Sequence, residues 1–129
     1  MPKAQRSRFC LYMVVIVFAQ LLAFEASAQS YPNKPVRMVV GTTPGGAGDT
    51  ISRLLAPKLS EYLGQPVVVE NRPGASGAIA TEKVAKSPPD GYTLEMVTSS
   101  ITVVVALRAN LPFDLERDLA PVSLASSLS

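Results

Sequence analysis

Val36-Arg37-Met38-Val39-Val40, then Gly41-Thr42-Thr43-Pro44-Gly45-Gly46-Ala47-Gly48, then Asp49: this stretch decides the fold. The first five residues carry one charge, Arg37, and have the β-branched content of a short strand. The glycine- and proline-bearing run that follows reads as a turn segment. From Asp49 the apolar residues change period. Ile51, Leu54, Leu55, Leu59 and Leu63 fall on one face of a helix, and Gly64 stands where a helix stops. Pro57 deletes a backbone hydrogen bond inside that span and predicts a kink.

Working outward, the pattern repeats. Pro66 to Glu70, centred on Val67-Val68-Val69, reads as a second strand, apolar without alternation, as suits a parallel strand covered on both faces. Asn71-Arg72-Pro73-Gly74-Ala75-Ser76-Gly77 is a second glycine-bearing loop, leading into a helix from about Ala78 to Lys86. After the turn Pro88-Pro89-Asp90-Gly91, Tyr92 to Val97 gives a third strand and Thr98-Ser99-Ser100 a third polar loop. This alternation predicts a parallel α/β sheet with right-handed crossovers. Ile101 to Leu107 is ambiguous: three consecutive valines favour a strand, while the position asks for a helix. Leu111-Pro112-Phe113-Asp114 reads as a turn, and Asp118-Leu119-Ala120-Pro121-Val122 as the approach to a fourth strand.

Upstream, Lys3, Arg6 and Arg8 form a basic leader, Phe9 to Phe24 is apolar but for Gln20, and Ala26-Ser27-Ala28 precedes Gln29. This is the pattern of a secretory signal peptide over residues 1–28, cleaved after Ala28. The alternative, a retained membrane anchor, is poorly served by a run short of the roughly 20 apolar residues a bilayer core needs. The sole cysteine, Cys10, falls in that leader, so residues 29–129 carry no thiol for a disulfide, a metal or a nucleophile. Histidine is absent, which removes the usual general base and zinc ligand. Three of the 12 basic residues and one of the 10 acidic ones leave with the leader, so the remaining charge is balanced. No basic patch points to nucleic acid.

In an open α/β sheet ligands bind beyond the C-terminal strand ends. The loops there would be Gly41–Gly48, Asn71–Gly77 and Thr98–Ser100. Two are rich in glycine, and the first feeds a helix N-terminus, where free amides and the helix dipole favour an anion. The plain alternative is that the glycines make tight turns. Nucleotide signatures fail: Gly41 and Gly46 have the separation of a phosphate loop, but Ala47-Gly48 follow where Lys and Ser or Thr are required. Gly46-Ala47-Gly48 opens like a dinucleotide fingerprint, but Ile51 replaces its last glycine. Asp49 reads either as a first-turn residue of the helix or as the partner of a ligand ammonium. Arg53 and Arg72 are available to a carboxylate or to ordinary ion pairs.

The runs Tyr31-Pro32-Asn33-Lys34-Pro35-Val36-Arg37, Pro44-Gly45-Gly46 with Asp49, Leu63-Gly64-Gln65-Pro66 through Glu70-Asn71-Arg72-Pro73-Gly74, Pro89-Asp90-Gly91-Tyr92-Thr93-Leu94, Leu111-Pro112-Phe113-Asp114 and Ala120-Pro121-Val122 occur in unbroken order. Together they resemble the Bug family, the TctC-like extracytoplasmic solute receptors of tripartite tricarboxylate transport systems. The resemblance implies a two-lobed, flytrap-like periplasmic binding protein of which residues 29–129 would be the N-terminal α/β lobe in part, without the hinge and second lobe. It implies a small organic carboxylate as ligand, delivery to a membrane permease, a periplasmic location, no cofactor and no catalytic step. Carried over by position, the ligand contacts would be Thr42, Thr43, Pro44, Gly45, Gly46 and Asp49, then Ala75, Ser76 and Gly77, then Thr98, Ser99 and Ser100. Gly41-Thr42 replace the family's usual Pro-Phe, Ile101 its histidine, and Val104-Val105 its Asn-Pro. Two rival readings are an enzyme holding a phosphorylated small molecule on Gly41–Gly48, which would need a catalytic carboxylate such as Asp49, and a secreted or anchored protein that binds nothing.

Overall fold

The computed structural model describes residues 30–108 and 110–127. The signal-peptide expectation lies outside the described residues. From Pro32 onward the chain forms one compact unit. Its strands are β1 (Val36–Val40), β2 (Val67–Asn71) and β3 (Thr93–Met96). They form a parallel sheet in the order β2-β1-β3, with Met38 beside Val69 on one side and Leu94 on the other. The predicted α/β class and parallel pairing are thus observed, and all three strands end on the same edge.

Helix α1 (Ala47–Leu63) runs on through Pro57, which sits on its exposed side, and stops at Gly64, whose left-handed backbone (φ 66°) ends the helix without a Cβ penalty. Its Ala56, with Leu59 and Leu63 beside it, packs on Val36, Met38 and Val67. A single 3-10 turn (Ala75–Gly77) leads into α2 (Ala78–Ala85), whose Ala80 and Val84 close over Val39 on the opposite face. The strong apolarity of β2 does not mean burial on both sides. Val67 is buried, but Val68 is 50% exposed, because α2 covers only part of that second face.

Position outweighs β propensity at Ile101 to Leu107, which is helical as α3 (Ser100–Leu107). A helical turn puts Ile101 and Val104 on one side, where both are buried against Ala78 and Phe113. The expected approach to a fourth strand is corrected as well. Asp114 instead caps a single helical turn, α4 (Leu115–Asp118), by accepting the amides of Glu116 and Arg117 (3.0 and 3.1 Å). Residues 119–127 then carry no regular structure, and residues 120–127 are exposed. No described helix is long and apolar enough to cross a membrane.

Candidate ligand site

Parallel pairing delivers the segments after β1, β2 and β3 to one edge of the sheet, and they touch. A Cβ added to Gly41 would lie 2.7 Å from the Gly77 Cα, so the first two segments meet backbone to backbone. Gly48 is closed in by Thr42 Oγ1, the Thr98 methyl and Val40, with 3.1–3.3 Å to an added Cβ. Ser100 Oγ donates to the Ser76 carbonyl (3.3 Å) and shares a 2.7 Å hydrogen bond with Thr98 Oγ1. All the residues assigned to a site from the sequence therefore lie in this one cluster of three loops.

Inside the cluster, Asp49 organises the first loop. It is 3% exposed. One carboxylate oxygen accepts the Gly45 amide (2.8 Å); the other accepts Arg53 Nε (2.9 Å) and Asn71 Nδ2 (2.9 Å). Arg53 above all, then the Gly45 amide and Asn71, hold its carboxyl down from 3.8 to about 2. Its own amide donates to Thr42 Oγ1 (3.2 Å), so Thr42 and Asp49 share the work of a helix cap that Gly46 cannot do with a side chain. Both Asp49 oxygens are occupied. The carboxylate is a frame for the loop, the first-turn role, and no free carboxylate is left there for acid–base work.

Asn71, at the end of β2, closes the same network: Nδ2 donates to the Thr42 carbonyl (3.1 Å) and to Asp49, and Oδ1 accepts Arg53 Nη2 (3.0 Å). Sequence reading had placed Asn71 in the loop without a role; an amide directly after an apolar strand was the available signal. Arg72 is taken by Glu70 (Nε–Oε1 2.6 Å), so it makes the ordinary ion pair.

What remains facing solvent is a set of small donors. Thr43, Ser76 and Ser99 are exposed, with hydroxyls that make no hydrogen bond among the described residues. The amide of exposed Ala47, in the first turn of α1, likewise has no acceptor there. The second loop is built at a conformational cost. Ala75 and Ser76 have φ of 48° and 55°, and Gly77 continues at 97°. Two consecutive non-glycine residues in the left-handed region cost about 1 kcal/mol or more each, which neighbouring structure must offset. Ile101 and Val104, which replace polar family residues, point into the core and not into this edge. No cluster of residues able to hold a metal exists among the described residues.

A cluster of amides and hydroxyls at the C-terminal edge of a parallel sheet lies where open α/β folds hold small polar ligands. The chain belongs to the tripartite tricarboxylate transporter receptor family, whose model matches residues 51–129. It is similar to the protein BugT of Bordetella pertussis, 44% identical over 109 residues that make up 83% of this chain and 33% of BugT. A UPF0065 protein of Bordetella bronchiseptica is 48% identical over 99 residues, 76% of this chain and 30% of that protein. Among solved structures, one described as a periplasmic transporter superposes with a TM-score of 0.63 at 48% identity, over 65% of this chain and 29% of the other. The chain thus spans about a third of the length of the relatives it matches.

Proposed function

We propose that this chain supplies one wall of a carboxylate-binding cleft in an extracytoplasmic solute receptor, and that the whole receptor hands its ligand to a membrane permease without chemical change. Residues 1–28 act as the cleaved signal peptide, and residues 29–129 correspond to the N-terminal part of the first lobe in the periplasm. One observation carries the reading: three loops converge on unpaired amides and hydroxyls, while the single buried acid among them, Asp49, is neutralised by Arg53. An anion offered to that edge meets donors and no uncompensated negative charge. Thr43, Ser76 and Ser99 serve as direct or water-bridged donors, Ala47 as a backbone donor, and Asp49, Thr42 and Asn71 as the frame. Pro44, Gly45, Gly46, Ala75, Gly77, Thr98 and Ser100 shape the rim.

The wall described here is expected to give only weak affinity when tested by itself. Titrating the isotopically labelled chain with a panel of di- and tricarboxylates should move amide resonances at residues 42–49, 75–77 and 98–100 with millimolar midpoints. A matched diamine should not. Movement elsewhere, or none at any concentration, refutes the site. Mass spectrometry of the secreted product tests the leader separately: a first residue other than Gln29 refutes cleavage after Ala28.

A further inference from the structure

Among the described residues, Glu95 alone has a buried side-chain oxygen with no hydrogen-bond partner. It lies on β3 opposite Val39, on the face of the sheet that α2 covers. Its Oε1 is 2.7 Å from Thr81 Oγ1, and its Oε2 is buried with no hydrogen-bond partner. Thr81 is fully buried, and its hydroxyl also reaches the Gly77 carbonyl (3.3 Å). A hydroxyl has one proton to give. If Glu95 is ionised, Thr81 must choose between two acceptors. If Glu95 is protonated at Oε1, it donates to Thr81, and Thr81 donates onward to Gly77, so both hydrogen bonds are made at once, and the unpartnered Oε2 no longer carries charge.

We infer that Glu95 and Thr81 form a proton-responsive support for the Ala75–Gly77 loop: a neutral Glu95 releases the Thr81 hydroxyl to hold the Gly77 carbonyl, and an ionised Glu95 draws that hydroxyl away. As a control on the second loop of the candidate ligand site, this rests on the proposed binding reading; as a coupling between two residues and a loop, it does not. The loop is where a single lost hydrogen bond should be felt, because Ala75, Ser76 and Gly77 are all held at positive φ.

The surroundings favour the neutral form. Burial pushes the Glu95 carboxyl up, with the Thr81 bond acting against it. The charged groups on the neighbouring elements are Arg37 of β1, Glu70 of β2, Glu82 and Lys83 of α2, and Glu116, Arg117 and Asp118 of α4. Five of them are engaged elsewhere: Arg37 with Glu70, Glu70 also with Arg72, Glu82 with Lys86, and Arg117 with Asp118; Glu116 is exposed to solvent. Lys83 acts on Glu70.

The test is a carbon- and nitrogen-detected titration of the labelled chain, without ligand, from about pH 4 to about pH 8. The Glu95 side-chain carboxyl should titrate above an ordinary glutamate, and the Gly77 and Ala78 amides should move with the same midpoint. In Thr81→Val, Glu95 should still titrate while the loop amides lose that midpoint. In Glu95→Gln, the loop should hold one position throughout. An ordinary Glu95 midpoint, loop amides that ignore it, or a loop with random-coil shifts at every pH each overturns the inference. None of these readings involves a carboxylate ligand, so a failed ligand titration and a failed proton coupling are told apart.

Discussion

Replacing Gly41 with alanine should be among the most damaging single-methyl additions available to this chain. Gly41 is not at positive φ, so alanine brings no backbone strain of its own, and the whole effect is steric. The added Cβ would sit 2.7 Å from the Gly77 Cα, 3.4 Å from its carbonyl oxygen and 3.5 Å from the Ala80 Cβ. Carbon atoms rest at about 3.5–4.0 Å, so the first two loops must separate by roughly 1 Å. The closest atom is main chain, so no side chain can swing away. Overpacking of this kind costs about 1–3 kcal/mol, and the upper half of that range is expected here. For a domain of about 100 residues each kcal/mol moves the melting temperature by about 4–8 °C, so Gly41→Ala should melt about 10 °C lower or more. The assay is circular-dichroism melting with a urea titration, and Gly45→Ala is the control. Gly45 has open space for a Cβ but φ of 82°, so its loss should stay near the backbone cost of about 1 kcal/mol. If Gly41→Ala melts within about 2 °C of the parent, the loops are not in contact as described, and the site built on their meeting falls.

Asn71→Ala removes donors from the Thr42 carbonyl and Asp49 and an acceptor from Arg53; the urea midpoint should fall by the equivalent of about 1–3 kcal/mol. Combined with Asp49→Asn the loss should be less than additive, because both act in one network. The depressed Asp49 carboxyl stabilises the fold fully above its unfolded value of 3.8, and that contribution disappears as pH falls toward about 2. Acid unfolding followed by circular dichroism should therefore be shallower in Asp49→Asn across that window. Glu95 has the opposite sign. Its raised folded value means a penalty that appears as pH climbs past the unfolded value and is complete above the folded one, so Glu95→Gln should gain thermal stability at neutral pH and little in acid.

The strand–loop–helix order was readable because each boundary has a local cause. Gly64 stops α1, Pro88 to Gly91 separate α2 from β3, and the leucine spacing from Ile51 marks one helical face. Ile101 to Leu107 was not, because its helical state rests on Ile101 and Val104 reaching Phe113 and Ala78, distant partners that local propensity does not see. Val68 misled for a similar reason: an apolar run states what can be buried, not how far the covering helix extends. At the site, the loops and their small residues were legible from glycine and hydroxyl content. The first-turn role of Asp49 was legible as one of two readings of its place in the sequence, and the part played by Asn71 depends on two strands lying in register.

The backbone contact between Gly41 and Gly77 has a consequence for how such a surface can diversify. With no side chain between them, the two loops behave as a single block, and neither can be lengthened or re-angled without displacing the other. Freedom to vary is left to positions that project from the block, such as Thr43, Ser76 and Ser99, where an exchange of side chains disturbs neither strand register nor the Asp49 frame. A lineage drifting from one solute to another would therefore change the lettering on this wall long before it moved the stones.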